Sequence, residues 1–207
     1  MDNVRIWFIE SSPPRWLQHS IWGWLRLRPP VAQHTRREHA ALQKWAKGQR
    51  IIVELGVAEG VSALALRAVM HPEGTLYLID PFHLSRWPWF NSMRRLARRT
   101  VSRVPRGRVV WIESFSFQAA RTWYQPIDFL FIDADHRYES VRRDWQDWHV
   151  PVRAGGFVAL HDARVFPGGW ITPHDGPVRL AQEILQCTSD WQIVDEVDSL
   201  VIMQRMP

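Results

Sequence analysis

From residue 50 onward, short apolar runs alternate with stretches of helical periodicity, and the last two runs are joined by too few residues to hold a helix. Alternation of that kind marks a mostly parallel sheet covered by helices on both faces. Strands are predicted over 51–55, 75–80, 108–112, 127–132 and 156–160, with helices over 61–70, 89–104, 116–124, 137–150 and 178–186. The run 127–132 is apolar almost throughout, as suits a central strand buried on both faces. The final pair, 191–196 and 200–204, is separated only by a short acidic turn, which allows a hairpin but no parallel crossover. The expected fold is therefore α/β: a Rossmann-like, mostly parallel seven-stranded sheet with helices on both faces and a C-terminal antiparallel hairpin.

Before residue 50 the pattern changes. Helices are predicted over 14–27 and 33–47, split by Pro29-Pro30, so residues 1–48 read as a helical cap on a domain spanning 49–207. A content of 46% hydrophobic and 23% charged residues is that of a globular chain. Cys187 is the only cysteine, which rules out an intramolecular disulfide and points to a reducing, cytoplasmic setting. No run approaches the roughly 20 apolar residues of a membrane span, and the first ten residues lack the pattern of a signal peptide. Trp16, Leu17, Ile21, Trp22, Trp24, Leu25 and Leu27 crowd beside Arg15, Arg26 and Arg28. That mixture suits peripheral contact with a membrane, a homodimer contact or a lid over a substrate; a helix packed on the domain is the plainer account.

The first strand runs into Glu54-Leu55-Gly56-Val57-Ala58-Glu59-Gly60. Gly56 and Gly60 can take turn conformations closed to other residues and let a ligand approach the backbone. Residues 60–62 then open a helix whose free N–H groups suit a polar or anionic group. Asp80 ends the next strand, where a carboxylate can accept both hydroxyl hydrogens of a ribose. A dinucleotide site is disfavoured, because Ala58 takes the place of the middle glycine of G-x-G-x-x-G and Ser62-Ala63 that of the third. Further along, Asp133, Asp135 and His136 follow one buried strand and His161-Asp162 the next. Both strands should deliver these groups to the carboxyl edge of the sheet, where open α/β sheets bind ligands. Paired carboxylates with room for water suit Mg²⁺; the bland alternative is that they cap strand ends.

Four segments, VELGVAEGVSALAL, YLIDPF, FLFIDADHRYESVRRDW and RAGGFVALHD, occur in that order. Together they resemble the class I S-adenosylmethionine-dependent methyltransferases, above all the small-molecule O-methyltransferase branch, from about residue 50 to the end. The resemblance implies S-adenosylmethionine as cofactor and a hydroxyl-bearing small molecule as acceptor. It surrounds the cofactor with Glu54, Gly56, Ala58, Gly60, Ser62, Asp80 and Asp133, and brings Ser114 and Phe115 to the adenine, where the branch usually has an acid. Asp133 and Asp162 match the metal-binding aspartates of metal-dependent members, His136 falls on their general base, and Asp135 stands ready to orient it. Two departures matter. Ala163 replaces a further ligand, and His161 occupies a position that some relatives fill with an acid, which would favour a transition metal over Mg²⁺.

Basic character comes almost wholly from arginine, since Lys44 and Lys47 are the only lysines in a chain of net charge +5. Arg94, Arg95, Arg98, Arg99, Arg103, Arg106 and Arg108 form a run with no acid between them. A nucleic-acid methyltransferase is one reading of that run. The duller one is a solvated helix face, because Trp89, Met93, Leu96, Val101 and Val104 supply an apolar side. A cofactor-binding or membrane-associated module without chemistry is the remaining alternative.

Overall fold

The computed structural model describes residues 5–8, 19–82, 90–187 and 189–207. Seven strands, β1 (Ile51–Leu55), β2 (Thr75–Ile79), β3 (Arg108–Ile112), β4 (Ile127–Ile132), β5 (Val152–Leu160), β6 (Trp191–Val197) and β7 (Leu200–Arg205), form one sheet in the order β3-β2-β1-β4-β5-β7-β6. The first five pair in parallel. β7 runs antiparallel to both β5 and β6. The sheet reverses direction of growth between β1 and β4, so the crevice for a ligand opens at the carboxyl ends of those two strands.

Helices α2 (Arg36–Ala46), α3 (Val61–Val69) and α4 (Ser92–Val101) cover one face; α5 (Ser116–Ala120), α6 (Tyr138–Trp148) and α7 (Gly176–Cys187) cover the other. Alternation along β4 shows why both are needed. Phe129 and Phe131 pack with Leu42, Leu66 and Ala97, whereas Leu130 and Ile132 pack with Trp145, Trp148 and Ile184. The abundant tryptophans are partly explained here: Trp148 is fully buried, and Trp145 lies 5.0 Å from Trp191, centroid to centroid.

Among the described residues, the first helix of the N-terminal region ends at Trp24, three residues before the predicted end. This helix, α1 (Ser20–Trp24), lies against α4. It stops at Leu25 because Arg26 turns into the left-handed region at φ 64°. Residues 14–18, with Trp16, Leu17 and Arg15, and likewise Trp89, fall outside the described residues. Arg99 donates to the carbonyls of Gly23 and Trp24 at the end of α1. The arginine run is therefore largely engaged within the fold. Arg94 and Arg98 each hold Glu113 at 2.9 Å, and Arg106 donates to Met70 O. No helix among the described residues is long and apolar enough to cross a membrane.

Candidate active site

The chain between β1 and α3 is a tight glycine turn. Gly56 sits at φ 83°, and a Cβ placed there would lie 2.0 Å from Asp133 O, so only glycine fits beside β4. Gly60 caps α3 at φ 79° with no side-chain partner, which leaves the first amides of the helix open to the crevice. Asp80 braces this turn: its Oδ2 accepts from the amides of Val57 at 2.8 Å and Ala58 at 3.2 Å, and its Oδ1 accepts from Phe82 N at 2.8 Å. Oδ2 is thereby filled, whereas Oδ1 keeps a lone pair for a further donor.

Glu54 is completely buried, and burial raises its pKa well above the carboxylate range. Ser62 Oγ donates to its Oε1, but Oε2 has no partner among the described residues. A buried polar oxygen without a partner is costly, and a cationic ligand group against it would both satisfy it and favour the ionised carboxylate. Ser114 stands at the rim after β3, and Phe115 is 45% exposed with its ring 5.5 Å from that of Phe117.

At the ends of β4 and β5 a second group converges. Asp133, His136 and Asp162 offer three ligand atoms within 4.8 Å of one another. His136 Nε2 lies 3.8 Å from Asp133 Oδ1 and 3.4 Å from Asp162 Oδ2, and its side chain is 48% exposed. Contact with Asp133 is the main cause that raises the pKa of His136; partial burial opposes it and Asp162 adds to it. Asp162 holds φ 52° without being glycine, a strained conformation of the kind that gathers at functional sites.

Two sequence-predicted residues stand elsewhere. His161 is not among the converging ligand atoms. It is buried behind them, with Nδ1 3.1 Å from Asp133 Oδ1 and 3.4 Å from Asp162 Oδ2, and Nε2 3.5 Å from Glu38 Oε2. Burial opposes charge on this ring, yet Asp133 first and then Asp162 and Glu38 outweigh it and hold the proton far above the usual histidine range. Asp135 turns away from His136. Its carboxylate accepts from Arg137 N at 3.1 Å, Arg137 Nε at 2.7 Å and Ser140 Oγ at 2.9 Å, and Arg137 keeps its pKa down at about 2.

Several participants were not read from the sequence. Glu38, fully buried, accepts from Ser199 N at 2.8 Å and Ser199 Oγ at 2.7 Å as well as from Thr35 N. Trp170 Nε1 donates to Asp162 Oδ1 at 3.1 Å. Gly176 begins α7 where a Cβ would meet His136 O at 2.4 Å. For Glu38 a signal was present, since Thr35-x-x-Glu38 is a capping box and the structure forms it.

An open α/β sheet with an antiparallel last strand, a glycine turn after β1 and an acid after β2 is the architecture of the class I methyltransferases, which use S-adenosylmethionine. The family described as "Methyltransferase domain" matches residues 53–163, more than half of the chain, and the chain belongs to that family. Its fold is similar to the O-methyltransferase TomG of Streptomyces achromogenes, which acts in tomaymycin synthesis and was solved with S-adenosylmethionine. That match has a TM-score of 0.67 at 18% identity, over 95% of this chain and 92% of TomG. An O-methyltransferase of Bacillus cereus, solved with S-adenosylhomocysteine, aligns with a TM-score of 0.62 at 17% identity, over 96% of this chain and 94% of that one. An rRNA methylase of Streptococcus thermophilus aligns with a TM-score of 0.57 at 11% identity, over 85% of this chain and 100% of that one.

Proposed function

We propose that the protein transfers the methyl group of S-adenosylmethionine to a hydroxyl of a small molecule, with His136 taking the hydroxyl proton. One observation carries this reading. A half-exposed imidazole faces two strand-end carboxylates, one of which, Asp133, also lines the cleft at the glycine turn.

The residues that surround the glycine turn beside that cleft fit the cofactor. The partnerless Oε2 of Glu54 suits the ammonium of its amino-acid end, and Asp80 Oδ1 retains a lone pair for a ribose hydroxyl. Phe115 offers an exposed ring to the adenine. When bound, S-adenosylmethionine supplies an electrophilic methyl on its sulfonium. The chain's task is then to align an acceptor oxygen with that methyl and to remove the proton. Engagement of Arg94, Arg98, Arg99 and Arg106 within the fold supports a small molecule over a nucleic acid as acceptor.

The donor set also fits a divalent cation held by Asp133 and Asp162. Glu38, Asp133 and Asp162 are three carboxylates, and the single buried imidazolium of His161 offsets one of them, leaving a net charge near −2. A divalent ion matches that charge, and as a Lewis acid it would lower the pKa of a coordinated hydroxyl. EDTA should therefore abolish methyl transfer while leaving the affinity for S-adenosylhomocysteine, measured by calorimetry, unchanged. Full turnover after EDTA treatment would leave Asp133 and Asp162 with the sole task of positioning His136.

A further inference from the structure

One buried ion pair has no part in the transfer just described. Arg28 is completely buried and gives Nη1 to Glu59 Oε2 at 2.7 Å and Nη2 to Glu59 Oε1; Val31 N donates to Glu59 Oε2 at 2.8 Å. A buried arginine–glutamate pair adds little net stability compared with apolar side chains of the same volume, so stability alone is a weak reason for it. Its geometric consequence is specific. Glu59 belongs to the glycine turn, and the bonds to Arg28 and Val31 pin the N-terminal segment across that turn. Val31, Gln33 and His34 thereby face Gly56, Ser62 and Asp133 across a narrow cleft. His34 Nε2 lies 3.0 Å from His39 Nδ1, and burial, with His39 adding, pushes its pKa down to about 3. The ring is thus neutral at physiological pH.

We propose that residues 28–34 form a strap that is the second wall of the cofactor site, with Gln33 and His34 contacting S-adenosylmethionine and the Arg28–Glu59 pair as its clasp. This rests on the cleft at the glycine turn being the cofactor's. The amide of Gln33 provides both a donor and an acceptor for an amino-acid end that carries a carboxylate and an ammonium. His34 adds a ring without charge, which does not repel the ammonium. Cofactor and strap are then linked reciprocally: the factor by which bound cofactor favours the closed strap is the factor by which an open strap weakens the cofactor.

The test uses the full chain with S-adenosylhomocysteine as probe, combining calorimetry with amide exchange over residues 25–35. Saturating probe should slow exchange at Val31 and Ala32 at least tenfold. Gln33→Ala should raise Kd about 3–10-fold, the loss of one hydrogen bond. Glu59→Gln should raise Kd about tenfold or more and remove the exchange protection, whereas a purely structural clasp would lower Tm and leave Kd unmoved. Should Glu59→Gln fail to fold, the wild-type exchange and Gln33→Ala decide alone. Unchanged exchange in the wild type, or Kd within twofold of wild type for Gln33→Ala, overturns the strap. Failure of the wild type to bind the probe at all would instead overturn the assignment of the cleft.

Discussion

Replacing His136 by alanine should lower kcat by roughly 10²–10⁴-fold, the usual size of a general-base contribution. S-Adenosylhomocysteine should bind the variant as tightly as the wild type, because His136 is not among the residues that line the cleft at the glycine turn. The pH dependence gives a second readout. A base works only when neutral, so wild-type kcat should rise with pH as the imidazole loses its proton. With Asp133 first and then Asp162 facing the ring and outweighing partial burial and the neighbouring His161, that midpoint lies above the ordinary 6.5; a metal cation between the carboxylates would bring it down. The rising limb should vanish in His136→Ala. Turnover within threefold of wild type would remove His136 from the chemistry and send the search to the other groups at the strand ends.

The second large effect is expected from Gly56→Ala. Holding alanine in the left-handed region costs about 1–2 kcal/mol, and forcing a carbon into a packed site costs about 1–3 kcal/mol more. The added Cβ would meet Asp133 O at 2.0 Å, Asp133 C at 2.7 Å and Ala134 Cα at 2.9 Å, all backbone atoms of the strand end that carries the candidate site. No side chain can swing away to relieve the contact. A loss of about 2–5 kcal/mol should lower Tm by roughly 4–20 °C in a chain of this size. The surviving folded protein should also lose affinity for S-adenosylhomocysteine, since β1 and β4 can no longer hold the turn. A variant with unchanged Tm and unchanged affinity would show that the turn does not approach β4 this closely.

Much of this arrangement was legible before any coordinates. The run 127–132 was found to the residue, because burial on both faces leaves a nearly unbroken apolar signal; the half-exposed edge strand 108–112 was found as well, from its Val109-Val110-Trp111-Ile112 run after Gly107. The hairpin of β6 and β7 followed from chain length alone. β5 starts four residues earlier than predicted, at Val152, since Arg153, Ala154 and Gly155 carry no period and the pairing with β4 shifts register there. α5 stops at Ala120 rather than residue 124, where Trp123 leaves the helix to donate Nε1 to Gln125 O.

Site residues divide along the same line. Asp133, His136 and Asp162 lie directly after apolar runs, so local sequence places them at one sheet edge. Glu38 does not: it reaches Ser199 across 161 residues of chain, and nothing near Glu38 in sequence announces that meeting. His161 was misplaced for a related reason. It sits just past the end of β5, beneath the carboxylates of Asp133 and Asp162, where Glu38 from a distant part of the chain meets its other nitrogen. Arg28 and Glu59, 31 residues apart, could not be paired by any local rule.

In the proposed arrangement the cofactor lies over the glycine turn with its methyl directed at the edge where Asp133 and His136 stand. A crystal structure with S-adenosylhomocysteine tests this most directly. The expected result is a ribose hydroxyl on Asp80 Oδ1, the ammonium near Glu54 Oε2, and the sulfur facing the side of Asp133 from which His136 is reached. Density for the probe elsewhere, or in this cleft with its sulfur turned away from His136, would contradict it.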